Sequence, residues 1–160
     1  TQQRMKELYR LKGYSDAWIE KRVRGIAVRD ELTDEWKNRG VKKGNEFSVL
    51  TAEISKATFE LTPNEHKQVK QLKNENLRDH MNDLELIFTM LGEASTTDIV
   101  RAKNAKGFVE NKVAAKRGGE VAGVARKELE KNTRRKVVSN QNYLSGPEST
   151  KRIEQKKHIS

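Results

Sequence analysis

The stretch NLRDHMNDLELIFTML, residues 76–91, decides the fold because it is the densest apolar run in a heavily charged chain. Its apolar residues recur at intervals of three and four, which is the spacing of one helix face. They are Leu77, Met81, Leu84, Ile87 with Phe88, and Leu91. Leu86 and Met90 widen this face to more than half of the helix surface. A helix that is apolar over so much of its circumference is typical of a central position. Residues 76–91 are therefore predicted to form the most buried helix.

Polar residues in the same stretch raise the question of a metal or catalytic site. They are Asp79, His80, Asp83 and Glu85. On a helix, Asp79 and Asp83 share a face, whereas His80 and Glu85 point in other directions. The HExxH motif of zinc enzymes is also missing. The pattern favours a structural role, with Asp79 near a helix start as a cap or ion pair. No metal ligand is predicted.

Helical periodicity extends outward from this stretch in both directions. A long helix is predicted to begin after Ser15, a good N-cap, and to end at Gly40. A second helix is predicted over residues 46–61, and a third starts at Pro63, which suits the first helical position. After Gly92 the sequence either continues the central helix or starts a new one.

A last helical region is predicted over residues 107–136. Its apolar side carries the small residues Ala114, Ala115, Ala122 and Ala125, which favour close contact between helices. The pair Gly118–Gly119 costs roughly 2 kcal/mol of helix stability relative to two alanines. This pair therefore marks either a break between two helices or a notch for packing.

The chain after residue 131 is polar and weakly periodic. We expect an irregular or disordered tail over residues 132–160, or a segment that orders only on binding. Residues 1–131 are then one helical domain that becomes basic from about residue 101. The predicted fold class is all-α: an irregular bundle of five to seven helices with a central apolar helix and a basic, partly disordered C-terminal segment.

Composition argues against several classes of protein. Only 34% of the 160 residues are apolar and 35% are charged, which favours a helical chain with a thin core. Without cysteine there are no disulfides and no cysteine-based zinc sites. There is no apolar run of about 18 residues and no signal-peptide pattern, so a cytoplasmic protein that does not enter the membrane is expected. Neither GxSxG nor a phosphate-binding glycine loop is present, so neither enzyme activity nor a cofactor is predicted.

The net charge of +10 is distributed unevenly. Residues 1–100 contain 17 basic and 17 acidic residues, whereas residues 101–160 contain 16 and 6. Basic residues in the second part can neutralise phosphates regardless of base sequence. The predicted nucleic-acid-binding residues are Lys112, Lys116, Arg117, Arg126, Lys127, Lys131, Arg134, Arg135 and Lys136. A solvated helix face with Glu110, Glu120, Glu128 and Glu130 as local partners is an alternative, and so is an acidic protein partner.

At residues 76–99 the sequence resembles the C-terminal region of the DNA-damage-inducible protein D family, shared with phage-antirepressor-like proteins that carry a Bro-N domain. The matching residues are Asp79-His80-Met81, Glu85-Leu86, Leu91, and Thr96 or Thr97. TQQRMKEL at residues 1–8 and RVRGIAVRDEL at residues 22–32 agree in the same order. The protein D stretches His-Gly-Tyr and Leu-Tyr-Gly-Gly are missing, so the chain looks closer to the antirepressor-like branch.

This resemblance implies a non-enzymatic regulatory domain of a phage or prophage antirepressor-like or DNA-damage-response protein. It also implies that a DNA-binding Bro-N domain precedes Thr1. The regulatory domain formed by this chain is then expected to act in transcription regulation through nucleic acid, a repressor or a recombinase. The alternative is an oligomerisation or protein-interaction module without DNA contact of its own, in which the small alanines form a subunit interface of a homo-oligomer. A metal-dependent nuclease using Asp79 or His80 is a third hypothesis.

Overall fold

The computed structural model describes residues 1–144, and in this part of the chain every regular element is helical. There are six α-helices and one short 3-10 helix, so the predicted all-α fold of five to seven helices is confirmed. In chain order they are α1 (Gln2–Leu11), α2 (Asp16–Asn38), α3 (Asn45–Phe59), α4 (Pro63–Val69), the 3-10 helix (Leu77–His80), α5 (Asp83–Lys103) and α6 (Gly107–Thr133).

Two helix starts follow from local side-chain chemistry, as predicted. The Ser15 hydroxyl accepts a hydrogen bond from the Trp18 amide at 3.2 Å and begins α2. Pro63 opens α4, where Thr62 and Glu65 satisfy each other's backbone amides in a capping box. Such caps satisfy amides at a helix start that have no partner within the helix.

The prediction of one continuous helix over residues 76–91 is wrong. The chain forms a 3-10 turn, becomes extended at Met81, and only then starts α5. The Asn82 side chain accepts a hydrogen bond from the Glu85 amide at 2.8 Å, and the Glu85 carboxylate accepts one from the Asn82 amide at 2.9 Å. This second capping box fixes a helix start inside the apolar run, because its side chains compete with helical bonding of the backbone. Beyond Gly92 the helix continues without interruption to Lys103.

The apolar face predicted for this helix is correct only in part: Leu77 and Met81 are buried as predicted. Leu84, Ile87 and Leu91 are 42%, 39% and 36% exposed, whereas Leu86 and Phe88 are buried. The prediction counted the helical spacing from Leu77 and Met81, which both precede the start of α5. Once the helix starts at Asp83, only Leu86 and Phe88 of the predicted apolar residues of α5 are buried. Apart from Val100, the rest of the buried face of α5 is small or polar: Glu85, Gly92, Glu93, Thr96 and Thr97.

Helices α2, α3, α5 and α6 form a bundle in which α5 packs against the other three. Contacts between α2 and α5 advance together along both helices, from Gly25 with Met90, through Arg29 with Glu93, to Glu35 with Arg101. These two helices are therefore parallel. Helix α6 runs antiparallel to α5, since Gly92 lies beside Ala122 and Thr96 beside Gly118. None of the helices within residues 1–144 has the length and apolar character needed to span a membrane.

The glycine pair of α6 is a packing notch, because the helix is continuous through it. A Cβ atom added to Gly118 would collide with Thr96, and one added to Gly119 would lie 2.6 Å from the carbonyl oxygen of Ile54. The absence of side chains thus lets α6 approach α5 and α3 closely. Ala114, Ala115 and Ala122 are buried in the same contacts. The hypothesis of a subunit interface is therefore wrong for these three alanines, and Ala125 is partly buried against Phe59, Phe88 and Val137.

The segment after α6 has no regular structure but packs against the helices as far as it is described. Val137 and Tyr143 are buried. The Asn82 amide group donates to the Val137 carbonyl at 3.0 Å, and the Tyr143 ring packs edge-on against Tyr14. We call residues 137–143 the strap. The remainder of the predicted tail, residues 145–160, lies outside the described part of the chain.

Candidate nucleic-acid interface

Helix α6 carries most of the predicted phosphate-binding residues, and its two sides differ sharply. One side packs through glycine and alanine against α3 and α5. The other side faces solvent and carries the long charged side chains. Eight of the nine predicted residues are exposed: Lys112, Lys116, Arg117, Lys127, Lys131, Arg134, Arg135 and Lys136.

Arg126 is the exception, because its side chain is buried. Its Nε donates to the Thr58 carbonyl oxygen at 2.6 Å, and its Nη1 lies 2.6 Å from a carboxylate oxygen of Glu130. This arginine joins the end of α3 to α6. Because the side chain is buried and two of its guanidinium nitrogens are bound within the chain, we do not include it in the interface.

Two of the exposed lysines have acidic neighbours that reduce their attraction for phosphate. Lys112 Nζ lies 4.0 Å from Glu53, and Lys127 Nζ lies 3.6 Å from Glu60. Exposed pairs of this kind are weak. They nevertheless lower the net positive charge along the middle of α6.

The C-terminal end of α6 carries the strongest uncompensated charge. Lys131, Arg134, Arg135 and Lys136 are all exposed, and none forms an ion pair with an acid in residues 1–144. We call these four residues the basic end. Cations at a helix C-terminus also complement the partial negative charge of the helix dipole there.

The backbone around the basic end is held in place. Arg134 adopts a left-handed conformation with φ 57° and donates its amide to the Glu130 carbonyl at 2.8 Å, which ends the helix. The Arg135 amide donates to the Thr133 hydroxyl at 3.2 Å. The next contact is the Val137 amide, which donates to the Glu130 carboxylate at 2.8 Å. The three consecutive cations therefore project from a turn that is fixed at both ends.

The Asp-His-Met motif serves a structural purpose, and Asp79 is its main hub. The Asp79 carboxylate accepts hydrogen bonds from the Tyr9 hydroxyl at 2.7 Å and from Arg22 Nε at 3.0 Å. Its backbone carbonyl accepts the Tyr14 hydroxyl at 2.7 Å. Burial, together with the bond to Asp79, raises the pKa of Tyr9 to about 12. Asp79 thus ties α1 and α2 to the 3-10 helix.

The other two residues of the motif bind the strap and α2. His80 Nδ1 accepts the Tyr143 amide at 2.9 Å, and the Met81 carbonyl accepts Trp18 Nε1 at 2.9 Å. These contacts match the predicted structural role. Within residues 1–144, no group of three or more histidine, aspartate or glutamate side chains is arranged to hold a metal ion.

Sequence analysis missed a buried ionic cluster centred on Glu85. One carboxylate oxygen lies 2.7 Å from Lys70 Nζ and the other lies 2.6 Å from His66 Nε2. All three side chains are fully buried. His66 and Lys70 belong to a short segment of mostly polar residues. The sequence signal was Glu85 itself, a carboxylate between apolar residues at the third position of a helix.

A second buried carboxylate, Glu93, is held by two arginines. Arg78 binds both of its oxygens, at 2.8 and 3.0 Å, and Arg29 binds one of them at 3.0 Å. Burial opposes the charged form of Glu93, but the two guanidinium groups outweigh it and hold the pKa of this carboxyl below its usual range. Burial also lowers the pKa of Arg29. The cluster joins α2, α5 and the 3-10 helix.

A cleft of about 440 Å³ adjoins Glu93 between α3, α5 and the loop before the 3-10 helix. Hydroxyl groups on its wall already donate within the chain, Thr51 to the Phe47 carbonyl and Thr89 to the Glu85 carbonyl. These two hydroxyl protons are therefore not free to orient a small ligand. The basic end is the better candidate for a functional site.

The fold and this site define a helical bundle with an exposed basic helix end. No protein-family model matches the chain, and neither a curated protein nor a solved structure matches it. The family resemblance of the Asp-His-Met segment therefore remains a proposal.

Proposed function

We propose that this chain is a non-enzymatic regulatory domain that contacts the phosphate backbone of nucleic acid through the basic end. The supporting observation is that these four exposed cations have no acidic partner within residues 1–144. A cation without an intramolecular partner retains its attraction for phosphate, whereas Lys112 and Lys127 share theirs with nearby acids. Contacts to phosphate carry no sequence information, so binding is independent of base sequence.

The resemblance to Bro-N-containing antirepressor-like proteins supplies the setting of this proposal. In that setting the domain acts in transcription regulation or the DNA-damage response of a phage or prophage. A repressor or recombinase on the same DNA is the protein partner that the setting implies. The basic end then adds affinity for the DNA that carries this partner.

The proposal is tested by measuring the affinity for duplex DNA over a range of salt concentrations. Each neutralised phosphate contributes a slope of about −0.9 to the logarithm of the binding constant against the logarithm of salt, so four contacts give about −3.6. Replacing Arg134, Arg135 and Lys136 by alanine is expected to weaken binding and to flatten this slope by up to about three units. Two unrelated DNA sequences should give the same result.

A matched control removes the same charge from another part of the surface. Lys37, Lys42 and Lys43 are exposed and lie around the end of α2. Their triple alanine variant should keep most of the affinity. Equal losses in both variants would show only a general charge effect, and a wild-type slope in the Arg134–Lys136 variant would contradict the proposal. Absence of DNA binding at low salt would favour the interaction module without DNA contact of its own.

A further inference from the structure

The outward sides of α5 and α6 expose large apolar residues that the described part of the chain, residues 1–144, does not cover. On α5 these are Leu84, Ile87 and Leu91, the residues that sequence analysis placed in the core. On α6, Val121 is 47% exposed and Val124 is 70% exposed. Single exposed apolar residues are common, but a cluster on two neighbouring helices indicates a binding surface.

The two helices present these residues on the same side. A Cβ atom built on Gly92 would lie 3.6 Å from the Cβ of Ala122, so these two positions face each other across the antiparallel pair. The residue before each of them, Leu91 on α5 and Val121 on α6, is rotated by about 100° toward one common side. We call the surface formed by Leu84, Leu91, Val121 and Val124 the outer face.

The charges beside the outer face are arranged symmetrically. Arg117 and Glu128 are exposed, and neither forms an ion pair within residues 1–144. They are 11 residues apart, close to three helical turns, so they lie on the same side of α6. Their midpoint coincides with that of Val121 and Val124, and each lies about 8 Å from it along the helix.

This symmetry decides which partner fits the surface. When a second α6 is laid antiparallel on the first about this midpoint, Val121 of each copy meets Val124 of the other. Arg117 of each copy then lies opposite Glu128 of the other, and the pair occurs twice. A two-fold interface requires such self-complementarity. Nucleic acid would instead meet Glu128, which repels phosphate, and apolar side chains, which do not bind it.

We propose that two copies of this chain form a homodimer through the outer faces of α5 and α6, around a two-fold axis between Val121 and Val124. The valines and leucines form the apolar centre of the interface, and the Arg117–Glu128 pairs fix its register. Arg134, Arg135 and Lys136 of the basic end follow the last residue of α6 and lie outside this surface. DNA contact through these three residues and dimerisation are therefore separable properties.

Sedimentation velocity over a range of protein concentrations tests the dimer. The wild-type chain should pass from monomer to dimer, and the dimer should persist in high salt because its centre is apolar. Leu91→Glu with Val121→Glu should weaken association by roughly tenfold or more. Helix content should remain that of the wild type, because both positions are exposed on continuous helices. Melting temperatures should also agree when both proteins are measured at a concentration where they are monomeric.

Charge reversal tests the register. Arg117→Glu and Glu128→Arg should each weaken the dimer, and the double variant should recover most of the lost affinity because the pair is restored in reverse. Lys43→Glu is the control and should leave association unchanged. A chain that stays monomeric up to its solubility limit would overturn the proposal. A dimer that is insensitive to the Leu91 and Val121 changes, or whose Arg117 and Glu128 variants show no mutual rescue, would also overturn it.

Discussion

Lys70 Nζ lies 2.7 Å from Glu85 Oε1, and both side chains are fully buried. The same ammonium donates to the carbonyl oxygens of Ser139 and Gln141, each at 3.0 Å. Its three N–H groups thus have three acceptors, which accounts for its whole donor capacity. One buried lysine therefore joins α4, α5 and the strap.

Lys70→Met is expected to lower the free energy of unfolding by about 3–5 kcal/mol, because it removes the buried ammonium beside the Glu85 carboxylate and leaves two strap carbonyls without their donor. Urea unfolding followed by circular dichroism measures this loss. Lys73→Met is the control, since Lys73 is exposed and should change stability by less than about 0.5 kcal/mol. Equal effects of the two substitutions would contradict the buried cluster.

Gly118→Ala is expected to destabilise the protein although alanine favours helices by about 1 kcal/mol. The added Cβ meets both the backbone and the hydroxyl of Thr96, which cannot move without displacing α5. Gly25→Ala in α2 is the matched control, because its Cβ would lie at an ordinary 3.6 Å from the flexible Met90 side chain. Thermal melts should separate the two variants, with Gly25→Ala at or above the wild type. A stabilised Gly118→Ala variant would show that α6 does not approach α5 this closely.

Phe88→Ala and Leu84→Ala should differ strongly although the residues are one turn apart. Phe88 packs against Phe59 and Val137, so truncation should cost about 3–5 kcal/mol. Leu84 is partly exposed on the outer face, so its truncation should cost much less. Denaturant unfolding at a protein concentration where the chain is monomeric makes the comparison. Comparable losses of unfolding free energy would support the buried face that was predicted from the sequence.

Acid should weaken the fold partly through Glu93. Its pKa in the folded state is held below the ordinary value by Arg78 and Arg29. The unfolded chain therefore binds this proton at a higher pH than the folded chain does. The contribution of Glu93 to stability is present above about pH 4.3 and is lost as the pH falls through its lower folded pKa.

Glu93→Gln should be less stable than the wild type at neutral pH, because two largely buried guanidinium groups lose their counter-charge. Its unfolding free energy should also depend less steeply on pH below about pH 4.3. Urea titrations at several acidic pH values give the slope of unfolding free energy against pH for the wild type and for the variant. Identical slopes would mean that other carboxylates account for the acid sensitivity.

The sequence by itself determined the helical class and several helix limits. Ser15, Pro63 and Gly40 act through hydrogen bonds and backbone angles that involve only nearby residues. Such local effects are independent of what packs against the helix, and they can be identified from short motifs. The uneven distribution of charge is likewise a property of the chain alone, so the exposed cations of α6 were found without coordinates.

Tertiary structure alone decided which face of α5 is buried. Asn82 shifts the helix start, and packing against α2, α3 and α6 then places Glu85 and Glu93 inside while leaving Leu84 and Leu91 outside. A buried carboxylate is stable only when cations from other segments reach it. Those partners, from α2, α4 and the 3-10 helix, lie far away in sequence, and periodicity along one helix carries no information about them. The same reason explains why Gly118 became a notch rather than a helix break, because its role depends on Thr96 across the interface.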